Sequence, residues 1–447
     1  MTPASHSELA VGIDIGTTSV KAVAADADGN VVARARVPHK VVIPEAEKFE
    51  HDADEAWRRG PREALRELKV DDVAAISVTG MVPSLCAVNA DGVPITPGLI
   101  YGDVRGRTGS GADPSGSGET AAFLKWTAKQ APDAAGYWPA QAVANCAVSG
   151  EASLDTATAF SAFPLFDGNV WDEAQLAEVG ATPDQFPAVH VNGAPVGRVS
   201  KDLGVGDAVL GASSIDAMGE QLVAGADRDG DVMVILGTTL IIWVLDTGWR
   251  EVPGLWTIPH LGGLENKSFI GGASNAGGLF LNWALRLTEP TSEEVKPDRV
   301  PVWEPYVRGE RTPYHDTNRR AVLHDLDLTH DAAAVRRAAY EASGFVTRQH
   351  IDMTGVDAKR IVATGGGVRV PEWVQALADC TQLPVDVVAV PEGAALGAAF
   401  MARVAAGLEP DMAAGARWAS TALTVDPDPA WAEPVAGRYQ RFRELAG

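Results

Sequence analysis

The stretch VGIDIGTTS, Val11 to Ser19, decides the fold, because the chain writes it again as VMVILGTTL, Val232 to Leu240. Each time an apolar run ends at Gly-Thr-Thr and an apolar segment follows. Around the first copy, Leu9 to Ile15 alternates as a strand does, Gly16-Thr17-Thr18 turns the chain, and Ser19 to Ala25 reads as a second strand. Asp26 to Asn30 makes a turn, Val31 to Val37 a third strand, Asp54 to Leu68 a helical stretch broken by Gly60-Pro61, and Val73 to Val78 another strand. Around the second copy, Met233 to Leu236 and Leu240 to Leu245 flank the turn Gly237-Thr238-Thr239. Later come a strand at Ile361 to Ala363, the cluster Gly365-Gly366-Gly367 and a helix over Pro371 to Cys380 with Pro in its first turn. A strand over Val385 to Val390 and a helix over Glu392 to Ala406 follow. This is an internal duplication of a strand, Gly-turn, strand unit rather than a short-period solenoid. It predicts an α/β protein of two mixed domains, 1–225 and 226–447, with the boundary near Gly225 to Asp231.

The totals agree with that plan. A chain of 447 residues predicts two or three domains, and 46% apolar with 21% charged residues is ordinary globular usage. The longest apolar run, Val232 to Leu245, falls short of the ~20 residues a membrane helix needs and reads as buried strand. A net charge of -22 opposes nucleic acid and anionic membrane, which need a positive patch. A small phosphorylated ligand remains compatible, because backbone amides and a metal ion hold phosphate locally. Cys86, Cys146 and Cys380 lack metal-site spacing, and no charged-then-apolar leader opens the chain, so a reducing cytoplasm is expected. The Gly- and Ser-rich run Arg105 to Gly118 reads as a mobile surface loop.

A Gly at a tight turn permits positive φ and close backbone approach, and successive amides and Thr hydroxyls can converge on an anion. Either Gly-Thr-Thr alone would be read as a plain hairpin turn. Two at matching places of a duplicated unit point to a polyphosphate. Asp14, two residues before Gly16, is a carboxylate inside an apolar strand and needs a partner. Mg²⁺ on a nucleotide is one; a salt bridge with Lys21 is the other. No G-x-x-x-x-G-K-[ST] and no G-x-G-x-x-G after a strand is present, which disfavours P-loop and dinucleotide folds.

Taken in order, VGIDIGTTSVKA, YGDVR (Tyr101 to Arg105), SSIDAMGEQLVAG (Ser213 to Gly225), VILGTT, GERTP (Gly309 to Pro313), ATGGGVRVPEWVQALAD (Ala363 to Asp379) and EGAALGAA (Glu392 to Ala399) span nearly the whole chain. In these the chain resembles the FGGY family of carbohydrate kinases, of the actin and hexokinase superfamily. The resemblance implies two ribonuclease-H-like domains around a central cleft for ATP, Mg²⁺ and a small sugar or polyol, one hydroxyl of which is phosphorylated. It assigns Asp216 as the catalytic base, Asp14 to magnesium, and Met81, Asp103, Arg105 and Asp216 to the sugar. Gly16, Thr17, Thr18 and Lys21 in one turn, and Gly237, Thr238 and Thr239 in the other, would hold phosphates. Gly365, Gly366 and Gly367 would approach the adenosine, and Glu392 to Ala399 would link the domains. A homodimer is common in the family.

The departures fall in the sugar pocket. Xylulokinases, most like this chain in layout, carry Gln-Met-His-Gly where it has Met81-Val82-Pro83-Ser84, Trp-Asn-Asp at Tyr101-Gly102-Asp103 and Asp-Asn at Asp216-Ala217. Ile215 to Ala217 is worded like the ribulokinase branch. D-xylulose is the leading expected substrate, with ribulose, a tetritol, glycerol or a hexulose as alternatives. The competing readings are a non-catalytic ATP or sugar sensor of the same fold and an activator-type ATPase. Without the resemblance, Asp216 would be a helix N-cap, Asp103 and Arg105 a surface ion pair, and Trp126, Trp283 and Trp373 core residues.

Overall fold

A computed structural model of the chain describes residues 9–45, 47–106, 119–260, 266–291 and 294–446. Most of the expected Gly/Ser surface loop, residues 107–118, lies outside them. The chain divides into two compact units, Met1–Val223 with Glu392–Trp418, and Ala224–Pro391 with Ala419–Gly447. The first crossing thus falls beside the 225/226 boundary read from the sequence, but residues 392–418 cluster with the first unit rather than with the C-terminal half.

The first unit is built on a six-stranded sheet of β1 (Ala10–Ile15), β2 (Ser19–Ala25), β3 (Val31–Pro38), β4 (Ala75–Gly80), β5 (Pro195–Arg198) and β6 (Val209–Gly211), in the order β5-β6-β4-β1-β2-β3. Strands β1, β2 and β3 form an antiparallel meander; β4 joins β1 in parallel, and β6 joins β4 in parallel. Strand β1 is central and buried throughout, so both faces of its alternation are covered. Val11, Ile13 and Ile15 pack in a core with Val20, Trp57, Leu65, Ile76 and Val143.

Alternation puts Gly12 and Asp14 on the opposite face. There Gly12 meets the Gly393–Ala405 helix so closely that a Cβ would stand 1.8 Å from Ala395 O. The same helix touches the Asp216–Ala224 helix backbone to backbone: a Cβ on Gly397 would lie 2.0 Å from Gly219 O. The segment expected to link the domains starts where the chain passes from the second unit to the first, and it packs into the first unit, held by glycines on three elements.

The second unit repeats the plan with β7 (Asp231–Leu236), β8 (Leu240–Thr247), β9 (Trp256–Pro259), β10 (Lys267–Ser274), β11 (Arg360–Thr364), β12 (Val385–Val388) and β13 (Thr421–Val425), in the order β9-β10-β8-β7-β11-β12-β13. Here β7, β8 and β10 are the antiparallel meander, and β11 and β12 add in parallel beside β7. Strands β1, β2, β3, β4 and β6 thus correspond to β7, β8, β10, β11 and β12. The run Val232 to Leu245 is central sheet, with Val232, Val234, Leu236 and Ile242 packed among Phe280, Tyr306, Phe345 and Phe442. Among the described residues no helix is long and apolar enough to cross a membrane.

The contact at Gly12 sets a test of the first unit's packing. Gly12→Ala has no room for its methyl without moving the Gly393–Ala405 helix, and is expected to cost about 2–3 kcal/mol, lowering the melting temperature by roughly 5–10 °C. Calorimetry checks this; an unchanged melting temperature would mean that the helix is not held at Gly12.

Candidate active site

Four charged side chains of the first unit converge beside the first Gly-Thr-Thr turn. Asp14 at the end of β1 and Lys21 on β2 are cross-strand partners, and Lys21 Nζ donates to Asp14 Oδ2 at 3.2 Å. Asp14 is only 4% exposed, and its Oδ1 is buried with no hydrogen-bond partner. The salt bridge expected as an alternative therefore exists and leaves half of the carboxylate unused. The charge of Asp14 first, then those of Glu220 and Asp216, raise the pKa of the Lys21 ammonium against its burial.

Asp216 opens the Asp216–Ala224 helix. The segment before it is tied to the end of β4, with Gly80 and Ile215 bridged and Thr79 Oγ1 donating to Ser214 O at 2.5 Å. Asp216 Oδ1 accepts from the Ala217 N–H at 2.7 Å. Burial, and next the charge of Asp14, push its carboxyl up to about 6; the Ala217 N–H and Lys21 pull the other way. A carboxylate of that basicity is still ionised at neutral pH and is a better proton acceptor than an ordinary aspartate.

The turn itself closes by Gly16 N–H donating to Ser19 O at 3.1 Å. Neither Gly16 nor Gly237 adopts positive φ, which corrects the reason given above for glycine there. A Cβ at either position would instead stand 3.2 Å from the turn's own carbonyl, Ser19 O or Thr239 O. Thr17 Oγ1 and Tyr101 OH are 2.8 Å apart, so the turn is fastened to the YGDVR segment. From below, Trp57 Nε1–H donates to His51 Nδ1 at 3.0 Å, leaving the ring proton on Nε2 to donate to Thr17 O at 2.9 Å. Burial first, then His39, hold His51 down at about 4, so this relay is neutral.

Met81 is buried, and its N–H donates to Ile15 O at 3.3 Å. Asp103 is 0% exposed. Its oxygens accept from Phe49 N–H, Arg105 N–H, Arg105 Nε and Arg105 Nη2 at 2.5 to 2.8 Å. Four donors fill a carboxylate, so in this arrangement Asp103 has no lone pair left for a sugar hydroxyl. Arg105 Nη2 also donates to Glu50 Oε2 at 2.8 Å, and its guanidinium lies 4.7 Å from the Trp126 ring centre. The pair is thus buried, not a surface ion pair. Glu50 and Glu220 did not stand out in the sequence; only the i, i+4 spacing of Asp216 and Glu220 could have marked the latter.

In the second unit, Gly365 has φ +87°, and a Cβ on Gly367 would stand 2.7 Å from Leu236 O and 2.4 Å from the Trp373 ring. The glycine cluster therefore packs on the last residue of β7, directly before Gly237. Gly366, by contrast, faces open space. The carbonyls of Gly237 and Thr238 accept from Gly278 and Leu279 N–H at 2.8 and 3.1 Å. Arg311 Nη2 reaches Thr239 Oγ1 at 3.2 Å. The neighbouring Glu310 of GERTP is buried and accepts from Ser274 Oγ at 2.6 Å, Asn275 N–H at 2.9 Å and Arg311 N–H at 2.7 Å, a structural anchor. Trp373 is core, whereas Trp283 is 37% exposed.

The chain is similar to known proteins over most of its length. The N-terminal domain of the FGGY family of carbohydrate kinases matches residues 9–110, and the C-terminal domain of that family matches residues 232–406. Xylulose kinase of Escherichia coli is 24% identical over 438 residues, covering 89% of this chain and 90% of that one. Gluconokinase of Bacillus subtilis is 25% identical, covering 89% and 87%. The solved structure of xylulose kinase from Rhodospirillum rubrum superposes with a TM-score of 0.78 at 26% identity and covers 98% of both chains.

Burial pushes the Glu310 carboxyl from its ordinary 4.5 up to about 7 against three hydrogen bonds. A carboxyl that binds its proton more tightly when folded adds stability at low pH that is lost as pH rises through the folded value. The second unit should therefore weaken between pH 4.5 and pH 7. In Glu310→Gln the difference between melting temperatures at pH 5 and pH 8 is expected to shrink by roughly 3–6 °C. An unchanged difference would remove Glu310 as its source.

Proposed function

This chain belongs to the FGGY family of carbohydrate kinases, and from that premise we propose that it phosphorylates a neutral ketose or polyol, D-xylulose first among them. As a carbohydrate kinase it moves a phosphoryl group from ATP to an alcohol group of a small sugar. The observation that carries the site reading is the placement of Asp216, which opens its helix beside Asp14 and Lys21 with Oδ1 accepting from the Ala217 N–H at 2.7 Å; burial is the first cause of its raised basicity. We assign it the proton of the attacking hydroxyl, which it would accept as the new oxygen–phosphorus bond forms.

Phosphoryl transfer asks a protein mainly for position and charge. In this reading the turns Gly16–Thr17–Thr18, with Lys21, and Gly237–Thr238–Thr239 hold phosphates, and the bare backbone at Gly366 faces the adenosine. Asp14, with one buried oxygen lacking a hydrogen-bond partner, fits a divalent cation. Mg²⁺, when bound with the nucleotide, would screen phosphate charge. Met81 would line the sugar site, and Asp103 would position Arg105 rather than accept a hydroxyl itself. A cytoplasmic location, supported by three free thiols, and a homodimer complete the proposal.

Charge favours a neutral acceptor. Arg105 is matched by both Asp103 and Glu50, and Lys21 by Asp14. Neither cation is left over for the carboxylate of an acid sugar such as gluconate. Hydroxyl groups carry no such requirement. The relatives named xylulose kinase support a ketopentose among neutral acceptors.

ADP release measured across D-xylulose, D-ribulose, tetritols, glycerol, hexuloses and gluconate tests this. A neutral ketose should give the highest kcat/KM, and gluconate background only. No stimulation by any of them would leave the non-catalytic sensor. Asp216→Asn is expected to lower sugar-dependent turnover by about 10²-fold or more with ATP affinity kept within about threefold; near-parental turnover would strip Asp216 of its role.

A further inference from the structure

Arg311 of the GERTP motif has no part in the phosphoryl transfer described above, yet the sheet of the second unit delivers it to the second Gly-Thr-Thr turn. Both of its neighbours are tied to the end of β10. Glu310 accepts from Ser274 Oγ at 2.6 Å and from Asn275 N–H at 2.9 Å, and the N–H and Oγ1 of Thr312 both donate to Ala273 O, at 3.3 and 3.1 Å. Strand β10 pairs with β8 so that Ser274 stands opposite Leu240, the residue after Thr239. Arg311 Nη2 then donates to Thr239 Oγ1 at 3.2 Å. A guanidinium has donors only, so whatever else it reaches, the hydroxyl takes part in this contact as the acceptor. The proton of Thr239 must go elsewhere, and among the described residues no second partner stands at its Oγ1. The first turn is not set in this way: Thr17 Oγ1 meets Tyr101 OH at 2.8 Å, a contact in which either oxygen can donate.

We propose that Arg311 is a positioning residue that makes Thr239 a hydrogen-bond donor to the phosphate at the second turn. A hydroxyl left to itself can turn either its proton or its lone pairs toward a ligand, and a lone pair facing a phosphate oxygen repels it. With the guanidinium on one lone pair, the O–H is the group left for an anion. A hydroxyl donating to an ionised oxygen makes one of the stronger hydrogen bonds, and fixing its direction beforehand lowers the ordering cost of binding. The carbonyls of Gly237 and Thr238, which would repel a phosphate, already accept from Gly278 and Leu279 N–H at 2.8 and 3.1 Å. The inference rests on the reading of the second turn as a phosphate holder.

The test is the affinity of the whole protein for ATP with excess Mg²⁺, and for adenosine, by isothermal titration calorimetry without sugar. Thr239→Val should raise the ATP Kd about tenfold or more. Arg311→Met, which keeps an unbranched stem and removes every donor, should raise it about threefold or more, and both should keep the adenosine Kd within about twofold. In a Thr239→Val background, with no hydroxyl to orient, Arg311→Met should alter the ATP Kd by less than about twofold. Arg311→Gln, whose amide can accept as well as donate, should act like Arg311→Met and carries the test if that variant does not fold. A parental ATP Kd in the folded Arg311 variant overturns the proposal, as does an equal loss for adenosine. So does an effect that persists undiminished beside Thr239→Val, which would make Arg311 a phosphate ligand itself. A parental ATP Kd in Thr239→Val overturns the reading of the second turn as well.

Discussion

The backbone contact of the Gly393–Ala405 helix is the constraint on which the first unit depends. At Gly12 it meets the central strand, and at Gly397 it meets Gly219 of the helix that begins with Asp216. Two elements docked on one helix cannot shift independently, because interiors are packed too densely to absorb even a methyl. Asp14 and Asp216 lie two and three residues from those contacts. Their electrostatic coupling, the second cause of Asp216's raised basicity, is therefore a consequence of glycine placement. Larger residues would hold the two carboxylates further apart and weaken it.

The same packing explains what was legible in the sequence. The repeated Gly-Thr-Thr and its flanking apolar runs are local signals, and they led to the first meander, to the first two strands of the second and to the strands beside β1 and β7, but not to the third strand of the second meander, Lys267–Ser274. Asp14 as a carboxylate short of partners was also visible, since alternation within one strand sufficed. The return of residues 392–418 to the first unit was not, because sequence order carries no label for the sheet on which a helix lands. A hint was there in Gly393, Gly397 and the alanines between, a face small enough for backbone contact.

Asp103 shows a different limit. From YGDVR alone its carboxylate looks available, but its oxygens are filled partly by the Phe49 N–H, 54 residues earlier in the chain, and Arg105 is shared with Glu50. Hydrogen-bond saturation is a property of partners distant in sequence, and so it appears only in three dimensions. The positive φ expected at Gly16 and Gly237 failed for a related reason. Both turns can be made in ordinary backbone conformations, and what favours glycine is the carbonyl curling back, which a Cβ would approach to 3.2 Å and push by a few tenths of an ångström.

The two turns are unequal, and physical chemistry says why that matters. One step back from the turn, the first unit pairs Asp14 with Lys21 across the strands, whereas the second pairs Ile235 with Ile241. The apolar pair shows that this hairpin closes without charge. A buried ion pair adds little to stability over apolar residues of similar size, since desolvation offsets most of its attraction. Keeping one with an oxygen unpartnered costs more still, because a buried polar atom without a hydrogen bond is unfavourable by about 1–3 kcal/mol. The fold needs neither term. What the first unit has at this step is a carboxylate oxygen without a hydrogen-bond partner, beside Lys21 and Asp216; the second unit is apolar at this step.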